Sequence, residues 1–69
     1  MNTVDARGRS CPEPVILTKN ALAKSGAPLK VLVDNPVPVE NITRFVTNAG
    51  YSIQTTAVGD EFELLIQKV

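Results

Sequence analysis

A short internal repeat constrains the fold of this chain more than any other feature. The segment Cys11-Pro12-Glu13-Pro14-Val15 matches Asn35-Pro36-Val37-Pro38-Val39 at an offset of 24 residues, and Gly26 matches Gly50 at the same offset. Proline is favoured in the first turn of a helix, and glycine commonly follows the last helical residue. The repeat therefore predicts two strand–helix units built on one plan.

Hydrophobic spacing supplies the remaining elements of the prediction. Apolar residues recur at the helical period in two stripes. The first helix has Leu17, Ala21 and Leu22, with Pro14 or Val15 one turn earlier, and the second has Val39, Ile42, Phe45, Val46 and Ala49. Alternating or apolar stretches predict strands at 3–7, 29–34, 51–58 and 61–68, with a turn at Gly59-Asp60. The aromatic residues Phe45, Tyr51 and Phe62 are expected in the core. The helices are expected at about 11–25 and 35–49.

This order predicts an α/β fold. Strands joined by a helix are expected to run parallel, so both helices cover one face of the sheet. The last strand pairs antiparallel with the third through a hairpin. We expect a two-layer α/β sandwich of order βαβαββ, with a four-stranded mixed sheet, two helices on one face and a single domain over residues 1–69.

Composition excludes several classes of function. Seven basic residues balance seven acidic ones, so no basic footprint indicates direct nucleic-acid binding. No apolar run approaches the length of a membrane span, and the first residues lack the basic and apolar regions of a signal peptide. We therefore expect a cytoplasmic protein without membrane contact.

The inventory of reactive side chains is short. The chain has one cysteine and no histidine. An internal disulfide, a multi-cysteine zinc site and a Cys-His hydrolase are thereby excluded. We expect no cofactor and no metal, and any chemistry must use a thiol, carboxylates, lysines, arginines or one tyrosine, with Cys11 as the candidate nucleophile.

The predicted topology brings the loops after the first two strands to one edge of the sheet, at the helix N-termini. Asparagine is a strong N-cap residue, so Asn35 is expected to cap the second helix. Cys11 takes the same place in the first unit of the repeat, so we expect it at or beside the N-cap of the first helix, partly exposed. The helix N-terminus and nearby arginines lower a thiol's pKa, and a nearby carboxylate raises it. The candidate site comprises Cys11 with the supporting residues Arg7, Arg9, Pro12, Glu13, Pro14, Asp34 and Asn35.

Each of these residues also has an ordinary interpretation. Free cysteine is among the most buried residue types and is often inert. The two prolines of the first repeat serve helix initiation, Asp5 caps the loop, and the charged residues of the candidate site are solvated surface groups. The polar loop around Cys11 favours the functional interpretation.

The stretch Val4-Asp5-Ala6-Arg7-Gly8-Arg9-Ser10-Cys11-Pro12-Glu13-Pro14-Val15 resembles the signature of the TusA/SirA-like sulfur-carrier family, Cys-Pro-x-Pro after a first strand. The resemblance extends over nearly the whole chain. Val33-Asp34-Asn35-Pro36 and the segment 39–45 look most like the YedF-like branch, which is often associated with selenium metabolism.

The resemblance implies a sulfurtransferase-type carrier. Cys11 would accept sulfane sulfur as a persulfide from a cysteine desulfurase-like protein and relay it to an acceptor protein. Relatives serve tRNA thiolation, molybdenum-cofactor or sulfur-oxidation routes, and the sequence does not choose among them. The alternative is a non-catalytic regulatory or interaction module. RNA binding, suggested by the similar C-terminal domain of a translation initiation factor, is disfavoured by the near-zero net charge.

Overall fold

The computed structural model of the protein describes residues 2–9 and 12–69. Its elements are β1 (Asn2–Asp5), α1 (Glu13–Ser25), β2 (Leu29–Val33), α2 (Pro36–Asn48), β3 (Tyr51–Val58) and β4 (Glu61–Lys68). The predicted order βαβαββ is confirmed.

The four strands form one mixed sheet in the order β1-β2-β4-β3. β1 pairs parallel with β2, and β4 pairs antiparallel with both β2 and β3. The parallel first pair and the β3–β4 hairpin were predicted from the sequence. The insertion of β4 between β2 and β3 was not, and it places the last strand in the interior of the sheet.

The core lies between the helices and one face of the sheet. Alternate residues of the two central strands are fully buried, because successive side chains of a strand point to opposite faces: Leu29, Val31 and Val33 in β2, and Leu64 and Ile66 in β4. Ile42 and Val46 of α2 and Leu22 of α1 complete the same cluster, so both helices pack on that face. The predicted core aromatics, Phe45, Tyr51 and Phe62, pack against it and are half-buried.

The buried residues of the two helices occupy equivalent positions in the 24-residue repeat, and they coincide only in part with the predicted apolar stripes. α1 buries Pro14, Thr18 and Leu22, and α2 buries Pro38, Ile42 and Val46 at the repeat-equivalent positions. The predicted stripe of α1 did not include Thr18, whose hydroxyl donates to the Pro14 carbonyl at 2.8 Å and is thereby satisfied inside the core. Ala49 is exposed, because α2 ends one residue before it.

The ends of some elements differ from the prediction. β1 ends at Asp5 rather than at residue 7, because the Asp5 carboxylate accepts the Arg7 N–H at 3.1 Å and starts a turn. The Ala6 N–H still reaches the Leu32 carbonyl at 2.9 Å, which continues the contact with β2. β2 ends at Val33, so Asp34 belongs to the following loop.

Two isoleucines, one buried and one exposed, test which residues form the core. Ile42 is 0% exposed in α2 and Ile16 is 48% exposed in α1. Ile42→Ala is expected to lower the free energy of unfolding by about 2–5 kcal/mol, because it removes buried methyl groups and leaves a cavity. Ile16→Ala is expected to change it by less than about 1 kcal/mol. Urea denaturation of both variants checks this, and equal losses would contradict the assigned core.

Candidate functional site

The loops that follow β1 and β2 meet at one edge of the sheet. The Gly8 N–H donates to Asp34 Oδ2 at 2.8 Å, although the two residues are 26 positions apart in the chain. Both loops lead into helices, α1 and α2, whose N-termini carry partial positive charge. The structure thus brings Asp34 against the loop that leads to Cys11, and the predicted approach of the two loops is confirmed.

Asp34 also contacts the start of α2. Its Oδ1 accepts from the Asn35 side-chain amide at 3.2 Å, and Asn35 Oδ1 accepts from the Val37 N–H at 3.1 Å. Asn35 is the N-cap of α2, with the extended backbone that N-cap residues adopt, and its side chain satisfies an N–H that the helix leaves unpaired. The N-cap role predicted for this residue is confirmed.

Arg7 forms a cluster of exposed ion pairs. Its guanidinium contacts both oxygens of Asp5 at 2.9 Å and Glu61 Oε1 at 3.2 Å. Hydrogen bonds from the Arg7 side chain and then from its backbone N–H lower the pKa of Asp5 from 3.8 to about 2. The bonds with Asp5 and then Glu61 raise the pKa of the Arg7 guanidinium further above its ordinary range.

Arg9 is also paired with a carboxylate. Its Nη1 lies 3.0 Å from Glu13 Oε2, with both side chains about half exposed. Residues 9 and 13 flank Cys11 in the sequence, so the cation expected to favour a thiolate and the carboxylate expected to oppose it neutralise one another. Sequence spacing did not predict either this pair or the contact between Arg7 and Glu61.

The beginning of α1 differs from that of α2. Its N-cap is Pro12, and among the described residues no side chain caps it. Glu13 lies in the first turn, and Pro14 is buried. The predictions for Cys11 itself, namely a partly exposed sulfur beside the helix N-terminus and near Asn35, lie outside the described residues.

Two large apolar side chains are exposed at this edge. Ile16 in the first turn of α1 is 48% exposed, and Val37 in the first turn of α2 is 57% exposed. The sequence analysis did not single them out. Their signal was available, because each belongs to a predicted helix but falls outside its apolar stripe.

Residues 2–9 and 12–69 contain neither a metal-binding cluster nor a membrane-spanning helix. Within these ranges, no three histidine, cysteine, aspartate or glutamate side chains come together as a metal site would require. In the same part of the chain, neither helix has the length and hydropathy needed to cross a membrane.

Comparison with known proteins defines the family. The family model described as Sulfurtransferase TusA matches residues 2–68. The chain therefore belongs to the TusA sulfurtransferase family.

Relatives and a solved structure agree with this assignment. A Methanocaldococcus jannaschii protein named "Putative sulfur carrier protein" is 37% identical over 71 residues, which cover 99% of this chain and 95% of the relative. A Thermotoga maritima protein of the same name is 40% identical over 53 residues, 74% of this chain and 67% of the relative. The crystal structure of a SirA-like protein from Desulfitobacterium hafniense superimposes with a TM-score of 0.89 at 35% identity, covering 97% of this chain and 96% of that one.

The low pKa of Asp5 predicts an acid-sensitive contribution to stability. Because the carboxylate is favoured in the folded state, its contribution is complete above pH 3.8 and is lost as the pH falls toward 2. Asp5→Asn is expected to make the fall of the thermal midpoint between these pH values shallower. Thermal unfolding from pH 2 to pH 6 measures this.

A double variant supplies the control for that experiment. In an Arg7→Gln background, Asp5→Asn should have little further effect on the pH dependence, because the partner that lowers the pKa is gone. An undiminished effect in that background would show that a group other than Arg7 lowers the pKa of Asp5. High salt should weaken the wild-type effect, since the pair is exposed.

Proposed function

We propose that this protein is a sulfur carrier that accepts sulfane sulfur as a persulfide on Cys11 and relays it to a partner protein. The observation that carries the proposal is the family match over residues 2–68, which includes the only cysteine of the chain within Cys-Pro-Glu-Pro. Two relatives bear the name of a sulfur carrier, which supports the same function here.

The proposed step is a nucleophilic displacement at sulfur. The Cys11 thiolate attacks the outer sulfur of a persulfide on the donor, a new S–S bond forms on Cys11, and the donor's S–S bond breaks. The electron pair leaves with the donor cysteine as a thiolate, which takes up the proton lost by Cys11. The acceptor's thiolate repeats the step on the Cys11 persulfide, so the carrier undergoes no net oxidation.

The surroundings of the Cys-Pro-Glu-Pro segment suit a carrier that meets other proteins. The preceding loop is tied to Asp34, and the buried Pro14 holds the first turn of α1 against the core. The exposed Ile16 and Val37 offer apolar area to a partner. We propose a cysteine desulfurase-like donor and a protein acceptor, acting in the cytoplasm, with residues 1–69 working as one domain.

The proposal also includes the kind of metabolic pathway that the carrier serves. The resemblance of residues 33–36 and 39–45 to the YedF-like branch supports a role in sulfur or selenium metabolism. The balanced charge of the chain supports protein partners over direct contact with nucleic acid. Because Arg9 is paired with Glu13, its removal is expected to weaken sulfur loading only partially.

Replacement of the nucleophile tests the proposal directly. Wild-type protein incubated with a cysteine desulfurase and cysteine is expected to gain the mass of one sulfur atom, and Cys11→Ser is expected to gain none, because a hydroxyl forms no persulfide. Intact-protein mass spectrometry before and after reduction measures the gain. Circular dichroism of Cys11→Ser should show the wild-type fold.

Two outcomes would favour the interaction-module alternative. One is equal sulfur labelling of wild type and Cys11→Ser. The other is the absence of labelling of wild type by any protein or small-molecule sulfane donor.

A second prediction concerns docking of the donor. Ile16→Ala is expected to weaken binding to the cysteine desulfurase by about 1–2 kcal/mol, a roughly tenfold rise in Kd, because a buried apolar contact is lost. Loading by a small-molecule polysulfide should stay unchanged. Val69→Ala is the matched control, since Val69 is 88% exposed and follows β4 at the opposite edge of the sheet. Equal effects of the two substitutions would show that the α1 surface is not the docking surface.

A further inference from the structure

We propose that Asp34 is a positioning residue that holds the loop leading to Cys11 in the conformation used for sulfur transfer. The inference rests on the proposed function and adds to it a residue from the second strand–helix unit. Asp34 does not act on the sulfur in this proposal. It acts through the backbone of the β1–α1 loop.

Three successive backbone N–H groups fix the chain as it leaves β1. The Ala6 N–H donates to the Leu32 carbonyl at 2.9 Å, and the Arg7 N–H donates to Asp5 Oδ1 at 3.1 Å. The Gly8 N–H then donates to Asp34 Oδ2 at 2.8 Å. Of these three contacts, the bond to Asp34 lies nearest to Cys11 in the chain, and its acceptor is a side chain of another unit.

The acceptor is itself held by a well-packed element. Asp34 follows β2, whose last residue, Val33, is fully buried. Its second carboxylate oxygen accepts from Asn35, which caps α2. α2 in turn is anchored by the fully buried Ile42 and Val46. The loop is thus connected through one carboxylate to elements whose side chains are fully buried in the core.

The backbone conformation of Gly8 explains why a hydrogen bond at this residue matters. Its φ is +75°, a value that residues with side chains rarely adopt, and the space around a Cβ at this position is open. Glycine is therefore required here by backbone geometry and not by crowding. A glycine is also the residue with the most conformations to lose, so the loop needs an added contact to stay in one of them.

A positioning role and a purely electrostatic role of Asp34 make different predictions for the effect of replacing it. A carboxylate near a thiol disfavours the thiolate, so a purely electrostatic Asp34 would restrain the reactivity of Cys11, and its removal would increase it. A positioning Asp34 needs only an oxygen that accepts from Gly8. Asp34→Asn removes the charge and keeps such an oxygen, whereas Asp34→Ala removes both.

The experiment compares Asp34→Ala, Asp34→Asn and wild type, with Glu40→Ala as the control. Glu40 is an exposed carboxylate on α2 that accepts neither the Gly8 nor the Asn35 bond. Three quantities are measured well below the thermal midpoint of each variant. They are hydrogen exchange of the Gly8 amide by NMR, the pH profile of Cys11 alkylation by iodoacetamide, and the rate of sulfur loading from a cysteine desulfurase with cysteine.

Asp34→Ala is expected to lose protection of the Gly8 amide and to load sulfur at least about tenfold more slowly, because displacement requires close alignment of the reacting atoms. Its alkylation, which makes no demand on a partner's geometry, should not slow. Asp34→Asn and Glu40→Ala are expected to keep both Gly8 protection and loading close to wild type.

Three results would overturn the positioning role: unchanged Gly8 exchange in Asp34→Ala, wild-type loading by that variant, or equal effects of the alanine and asparagine substitutions. A wild-type protein that accepts no sulfur would instead overturn the proposed function. In that case Gly8 exchange in the two Asp34 variants still decides whether this side chain holds the loop.

Discussion

The pairing of β4 with β2 is the contact on which the rest of the structure depends. It sets Leu64 beside Val31 and Ile66 beside Leu29, and these four side chains are fully buried under the helices. A chain of 69 residues has little apolar area to bury, so most of its core must come from the two strands that have neighbours on both sides. Because side chains alternate along a strand, a slip of one residue in this register would turn the core residues of β4 toward the open face.

The same pairing shapes the candidate site. Since β4 runs antiparallel to β2, it begins at the edge where β1 and β2 end, and its first residue, Glu61, reaches Arg7. That edge therefore receives contributions from three parts of the chain: the β1–α1 loop, the β2–α2 loop and the start of the hairpin strand. Asp34 and Arg7 each join two of these parts. The long-range contacts of the loop before Cys11 therefore form only when β1, β2 and β4 have come together.

Most of the fold could be predicted from the sequence, because its signals are local. Paired prolines and the following glycines indicated both helices, and alternation indicated β3 and β4. The position of β4 within the sheet depends on a long-range pairing that local periodicity does not encode. The burial of Thr18 was missed since apolar pattern alone excludes a hydroxyl, although the repeat aligns it with Ile42. The ionic partners of Arg7 and Arg9 were missed for a related reason: side-chain pairing depends on distances that spacing along the chain does not supply.

These ion pairs bear on how a carrier cysteine should be activated. The sequence suggested that Arg7 and Arg9 would favour a thiolate. In the structure, each guanidinium lies within 3.2 Å of a carboxylate. A paired guanidinium stabilises a nearby thiolate less than an unpaired one would. A carrier must both accept sulfur and release it. A strongly acidic thiol makes a weak nucleophile, and attack is most efficient when the thiol's pKa lies near the ambient pH. Arginines that are already paired with carboxylates therefore suit the proposed function better than unpaired arginines, which would make the thiol strongly acidic. With the loop held by Asp34, the rate of sulfur transfer then depends mainly on the geometry of the partner's approach.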